Sequence, residues 1–169
     1  DAGPDLTAAD QRAQTFITYY EREPVGRDLR RTWLESLAER KLWQTYLEHY
    51  QADLADPAAQ CHSFTARIAL NRTEGLADDI RARWLTPKSL PQCERAFAWL
   101  REQQQLSPEL IESRVRLALK ENNARFAREI ASQLPSERAP PLLLWAALLE
   151  QPQRNIDALI ANPGRSVLP

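Results

Sequence analysis

The sequence predicts an all-α protein, specifically a right-handed α-solenoid of paired antiparallel helices. Three observations predict it. Apolar residues recur at helical spacing along nearly the whole chain, no stretch alternates apolar and polar residues as a half-buried strand does, and helix-start signals return every 16 or 17 residues. Two such intervals make a unit of about 33 residues, a length at which helical hairpins stack so that each covers the open face of the one before.

The elements follow in order. Ala13, Phe16, Ile17 and Tyr20 form a first stripe, and Trp43, Tyr46, Leu47 and Tyr50 repeat its i, i+3, i+4, i+7 spacing. Asp56-Pro57 then pairs an N-cap acceptor with a proline whose missing N–H costs nothing at a first helical position, which predicts a helix carrying Cys61, Phe64 and Ile68 on one face. Asn71 or Thr73 is the expected cap of the next helix, after Gly75, striped by Leu76, Ile80 and Trp84. Residues 89–92, SLPQ, have the form of a capping box, and Cys93, Phe97 and Leu100 continue as its stripe. Ser107-Pro108 starts the helix of Ile111, Val115 and Ala118; Asn122 and Asn123 are expected to cap that of Phe126, Ile130 and Leu134. Further starts are expected near 140 and 154. The prolines gather at the predicted loops and no Ser/Gly-rich linker divides the chain, so residues 1–169 read as a single module.

Composition excludes several functions. The 169 residues are 43% hydrophobic and 27% charged, with mean hydropathy −0.54, as in a folded water-soluble chain. The longest apolar run, residues 142–149, is far short of the roughly 20 residues of a membrane span. With 22 Lys+Arg against 23 Asp+Glu, there is no cationic excess to neutralise many phosphates, so nucleic acid is not an expected partner. The balance runs from 7 basic and 11 acidic residues over 1–60 to 15 and 12 over 61–169, a mild asymmetry taken as compositional. Four glycines cannot build a glycine-rich phosphate cradle, and two histidines with two cysteines do not make a zinc site. No cofactor and no metal are expected. Methionine is absent, even from position 1, so the chain is expected to be a piece of a longer one.

Cys61 and Cys93 stand 32 positions apart, almost one repeat, and so occupy equivalent places in successive hairpins. On spacing alone, a disulfide and two buried reduced thiols are both open; a bridge over that loop would contribute about 3.7 kcal/mol by the chain-entropy relation. A Cys61-His62 metal pair is disfavoured, because adjacent helical residues diverge by about 100°.

The run Gln60-Cys61 to Ala66, then Glu74-Gly75-Leu76, then residues 84–93, WLTPKSLPQC, resembles the superhelical region of the soluble lytic murein transglycosylases of gram-negative bacteria. Arg31 to Glu39, followed by Leu42-Trp43, is similar to the family's preceding hairpin, and Glu112 to Asn122 to its next one, so the likeness covers roughly residues 28–134. The resemblance implies a Cys61–Cys93 disulfide formed in the periplasm. It also implies a parent enzyme with a linker domain and a lysozyme-like catalytic domain. That parent cleaves the MurNAc–GlcNAc β-1,4 bond of peptidoglycan to a 1,6-anhydro product, one glutamate acting first as acid and then as base.

The family's active-site pattern is a Glu-Ser dipeptide followed by Gly-Leu-Met-Gln. Glu35-Ser36 and Glu112-Ser113 supply the dipeptide, but a chain without methionine cannot supply the rest, and both glutamates sit among charged neighbours on predicted helices. No catalytic residue is expected, and the chain reads as a non-catalytic scaffold guiding glycan strands in the periplasm. Its partners would then be peptidoglycan strands and the parent's linker and catalytic domains. Trp43 and Trp84 lie on apolar stripes and belong to the core, whereas an exposed Trp33 or Trp99 would offer a face to a sugar. Arg30, Arg31, Arg125 and Arg128 are expected on solvated helix faces, with contact to wall-peptide carboxylates as their functional reading. The alternative function is a stand-alone α-solenoid adaptor binding a protein partner on its concave face.

Overall fold

A computed structural model describes residues 6–161. Among them lie ten α-helices: α1 (Ala8–Tyr19), α2 (Pro24–Glu39), α3 (Trp43–His49), α4 (Pro57–Ala69), α5 (Leu76–Trp84), α6 (Glu94–Glu102), α7 (Pro108–Lys120), α8 (Ala124–Ala131), α9 (Ala139–Glu150) and α10 (Pro152–Ala161). A 3-10 turn, Pro91–Cys93, leads into α6. No strand occurs among the described residues, so the class is all-α. Intervals between helix starts are uneven, and they do not mark out one exact period.

The starts form as local chemistry dictates. Asp56 accepts the Ala59 N–H at 2.8 Å and Ser107 accepts that of Leu110 at 3.3 Å, each ahead of a proline at the first helical position. Asn123 caps α8 through the Phe126 N–H. The expectations at Asn71, Asn122 and residues 89–92 fail for identifiable reasons. Asn71 and Asn122 adopt φ of 55° and 57° and end the helix before them instead of starting the one after. Asparagine suits both tasks, because its short amide tolerates the left-handed region and also caps. At residues 89–92 no side chain caps the turn, since Pro91 opens a 3-10 segment rather than a full helical turn.

Four helices end in the same way. Lys41, Asn71, Gln104 and Asn122 each lie two residues past a helix end in the left-handed region. In each case the next residue's N–H reaches five residues back: Leu42 to the Leu37 carbonyl, Arg72 to Arg67, Gln105 to Leu100 and Asn123 to Ala118, at 2.8–3.0 Å. These are Schellman motifs, which satisfy orphan carbonyls while reversing the chain. They make tight αα-hairpins of α2–α3 and α7–α8.

The chain divides into two compact units. The first holds the described residues up to Leu76 together with Leu90–Trp99, and the second holds Ala77–Ser89 and the described residues from Leu100 onward. In the first, α1 packs on α2, α2 on α3 and α4, and α3 on α4. Ile17, Trp33, Leu34, Leu37, Ala38, Tyr46 and Ala66 form its buried cluster. The expected stripe of α1 is only partly internal: Ile17 is buried, but Phe16 and Tyr20 are exposed and rest on each other with ring centroids 4.5 Å apart. In the second unit, α7 packs on α8 and α9, α8 on α9, and α9 on α10. Trp84, Val115, Ala118, Leu119, Ala127 and Leu142 are among its most buried side chains. Each fully buried side chain of leucine size withdraws enough apolar surface to contribute about 1.5–3 kcal/mol.

Candidate functional site

Cys61 on α4 and Cys93 at the end of the 3-10 turn are joined by a disulfide, with Cα atoms 4.6 Å apart and both residues wholly buried. Pro91 starts the turn that delivers Cys93, and the Asp56 cap sets the phase of α4 that delivers Cys61 inward. Nearby, the Tyr46 hydroxyl donates to the Ala59 carbonyl at 2.7 Å, and burial pushes its phenol above the ordinary range.

Each unit contains a buried charge held by several hydrogen bonds. In the first, Asp10 (3% exposed) accepts the Thr7 N–H and hydroxyl, the Trp33 indole N–H at 2.8 Å, and both terminal nitrogens of Arg40 at 2.9 and 2.6 Å. The Arg40 bonds outweigh burial and hold its carboxyl well below the usual carboxylate range. In the second unit, Arg114 (2% exposed) donates to the carbonyls of Thr86 at 3.3 Å and Lys88 at 3.2 Å. Its guanidinium lies 4.2 Å from the Trp84 ring centroid and 5.0 Å from that of Phe126. Asn123 donates to the Pro87 carbonyl, so residues 86–88 of the WLTPKS stretch are held from behind by two side chains. Thr7-x-x-Asp10 is a capping box and announces Asp10 locally, but its Trp33 and Arg40 partners, like the carbonyl partners of Arg114, lie 23 to 30 positions away and leave no local sign.

Of the six predicted contact residues, Arg30, Arg31, Trp33 and Trp99 fall in the first unit and Arg125 and Arg128 in the second. Trp33 is only 5% exposed: its N–H is committed to Asp10 and its ring lies 4.8 Å from that of His49, so it offers no face to a sugar. Arg30, expected on a solvated face, is buried at 8% exposure, bonded through Nη1 to Gln51 and with Nη2 4.0 Å from Glu21. The cause is helical phase, since Arg30 shares with Leu34 and Leu37 the side of α2 that faces its neighbours. Arg31 is exposed and pairs with Asp28 at 3.3 Å. Trp99 is half-buried, Arg125 exposed, and Arg128 exposed and paired with Glu150 of α9 at 2.8 Å.

Arg30 and Arg31 do meet at one cleft of the first unit, a cavity of about 130 Å³ that Arg27 also lines, with Gln51, Leu54, Asp56 and Ala59 opposite. Arg27, Arg30, Arg31 and Leu34 sit at i, i+3, i+4, i+7, so one stripe of α2 forms one wall. Beside it, His62 is half-buried rather than a surface residue, and burial lowers its pKa below the ordinary value; His49, also half-buried, is lowered by the same cause. Among the described residues no three His, Cys, Asp or Glu side chains are grouped to hold a metal, and no helix is long and apolar enough to cross a membrane.

Over 115 residues the chain is 30% identical to the soluble lytic murein transglycosylase of Salmonella typhimurium, a match taking in 68% of this chain and 18% of that relative. The 70 kDa soluble lytic transglycosylase of Escherichia coli superposes on it with a TM-score of 0.69 at 25% identity, over 83% of this chain and 24% of that one. The chain is homologous to the soluble lytic murein transglycosylases. It spans under a fifth of the length of the curated relative it matches. In fold alone it also resembles an inactive mutant of the lytic transglycosylase Slt from Pseudomonas aeruginosa, with a TM-score of 0.77 at 24% identity over 94% of this chain and 25% of that one. No family model matches the chain.

With soluble lytic murein transglycosylases as the relatives, the two Glu-Ser dipeptides are the natural places to look for an acid. Glu35 is exposed on α2. Glu112, expected on a solvated surface, is instead half-buried, 2.8 Å from Arg116 and 3.9 Å from Arg138.

Proposed function

We propose that this chain is a non-catalytic helical-repeat module of a periplasmic peptidoglycan lytic transglycosylase, positioning glycan strands for a catalytic domain elsewhere in the parent polypeptide. The observation that carries the reading is the homology to soluble lytic murein transglycosylases over a helical stretch amounting to 18% of such a relative. Arg31, Arg125, Arg128 and Trp99 remain as wall contacts, since their side chains reach solvent. The disulfide supports an oxidising compartment. Purified peptidoglycan sacculi provide the test: the chain is expected to co-sediment with them and to release no 1,6-anhydro muropeptide detectable by mass spectrometry. Release of anhydro products would overturn the non-catalytic role, and failure to co-sediment would overturn the wall contact.

One observation favours a second reading, that of a protein-binding adaptor. Phe16, Tyr19 and Tyr20 are exposed together on α1, Tyr19 at 81%. A chain that ignores sacculi, and whose Tyr19→Ser variant alone loses a protein partner, would favour it.

A further inference from the structure

We infer that the cleft walled by Arg27, Arg30 and Arg31 is a carboxylate-binding site, taking a carboxylate on a short aliphatic stem such as the free end of a peptide. The inference deepens the wall-module reading, on which it rests for the source of that carboxylate. The cavity of about 130 Å³ has room for a carboxylate and a few carbons. Three guanidinium groups line it together with two carboxylates, Asp28, which pairs with Arg31 at 3.3 Å, and Asp56, which accepts the Ala59 N–H at 2.8 Å, so cations outnumber anions.

The decisive group is Arg30. Its Nη1 is taken by Gln51, while Nε is buried and finds no hydrogen-bond partner among the described residues. Nε–H and one Nη2–H project in parallel from the same edge of a guanidinium, the fork that receives both oxygens of a carboxylate. The carboxylate facing Nη2 is that of Glu21, 4.0 Å away with a side chain 60% exposed. A buried donor without an acceptor is costly, so a ligand carboxylate that displaces Glu21 into solvent and takes both donors relieves an existing penalty. Arg27 and Arg31, exposed at the mouth, provide attraction from outside.

The test is a titration of the 169-residue chain with N-acetylalanine and, separately, with N-acetylalanine amide at constant ionic strength, followed by the Nε–H resonances of the arginines. A saturable shift of Arg30 is expected with the acid, with binding at least about tenfold weaker for the amide. Arg114 serves as the internal reference and should not move. Arg27→Gln and Arg31→Gln, both at exposed positions that leave the core intact, should each weaken binding about threefold, and Glu21→Gln should strengthen it. Equal response to acid and amide, a shift shared by Arg114, or no saturation would overturn the site. Inorganic phosphate forms a further arm: binding as tight as the acid's would overturn carboxylate selectivity. Sacculus co-sedimentation separates the two proposals. Binding to sacculi without Arg30 response sinks the cleft alone, and Arg30 response without sacculus binding sinks the wall reading alone.

Discussion

The two units satisfy a buried charge in opposite ways. Asp10 in the first is met by the opposite charge of Arg40, with Thr7 and Trp33 supplying further donors; Arg114 in the second is met by carbonyl oxygens and the faces of Trp84 and Phe126. A carboxylate can be neutralised by acid, whereas a guanidinium keeps its proton at any pH a protein survives. The first unit also contains the disulfide. Its two main polar supports therefore depend on solution conditions, one on pH and one on redox potential.

The largest way to break this contrast is to remove the disulfide. Cys61→Ala with Cys93→Ala should cost about 3.7 kcal/mol in urea denaturation, with amides of α3 and α4 losing hydrogen-exchange protection before those of α7 and α8. Asp10→Ala should follow closely at about 3 kcal/mol, because it orphans the buried Trp33 N–H and removes the carboxylate half of the α1 capping box as well as the Arg40 pair. Arg114→Leu should cost about 2 kcal/mol and loosen residues 86–88 in the second unit, and Arg114→Lys should not restore them, since an ammonium cannot both fork to two carbonyls and lie flat on the rings.

Acid sharpens the comparison without any mutation. The Asp10 carboxyl is depressed in the folded state, chiefly by Arg40. Its stabilisation is therefore fully present above the unfolded value of about 3.9 and is lost as pH falls from there toward the folded value. Glu109 in the second unit is also lowered, first by its own backbone N–H, but it is exposed and contributes little. Hydrogen exchange between pH 5 and 2.5 should show the first unit opening ahead of the second, and Asp10→Asn should abolish the difference. The smallest effect lies at the helix ends: Lys41→Gly and Gln104→Gly should each stabilise by about 0.5–1 kcal/mol, and Asn71→Gly and Asn122→Gly by less, because asparagine already tolerates the left-handed region.

What was legible in the sequence was whatever leaves a local signature. The stripe of Leu76, Ile80 and Trp84 is wholly buried, as its spacing predicts, and Asp56 and Ser107 cap the helices they precede. Arg30 was misread because charge suggested solvent while its phase on α2 pointed inward, and long basic side chains bury readily along an apolar face. Trp33 shares with Leu34, Leu37 and Ala38 the inward side of α2, a spacing present in the sequence, while the Asp10 that holds its N–H lies 23 positions earlier and is not. The cleft of Arg27, Arg30 and Arg31 was half-visible: the three arginines share a stripe on α2, but its opposite wall comes from residues 51–59, which no periodicity links to it.

The Cys61–Cys93 bond has a mechanical consequence. It short-circuits the polypeptide, so tension applied at the two ends passes from Cys61 to Cys93 across 4.6 Å and bypasses the 32-residue interval between them. That interval, fully drawn out, would be about 110 Å long. A chain stretched in an oxidising medium should come up short by about that amount, and adding a reductant to the same tethered molecule should release the missing length in one step.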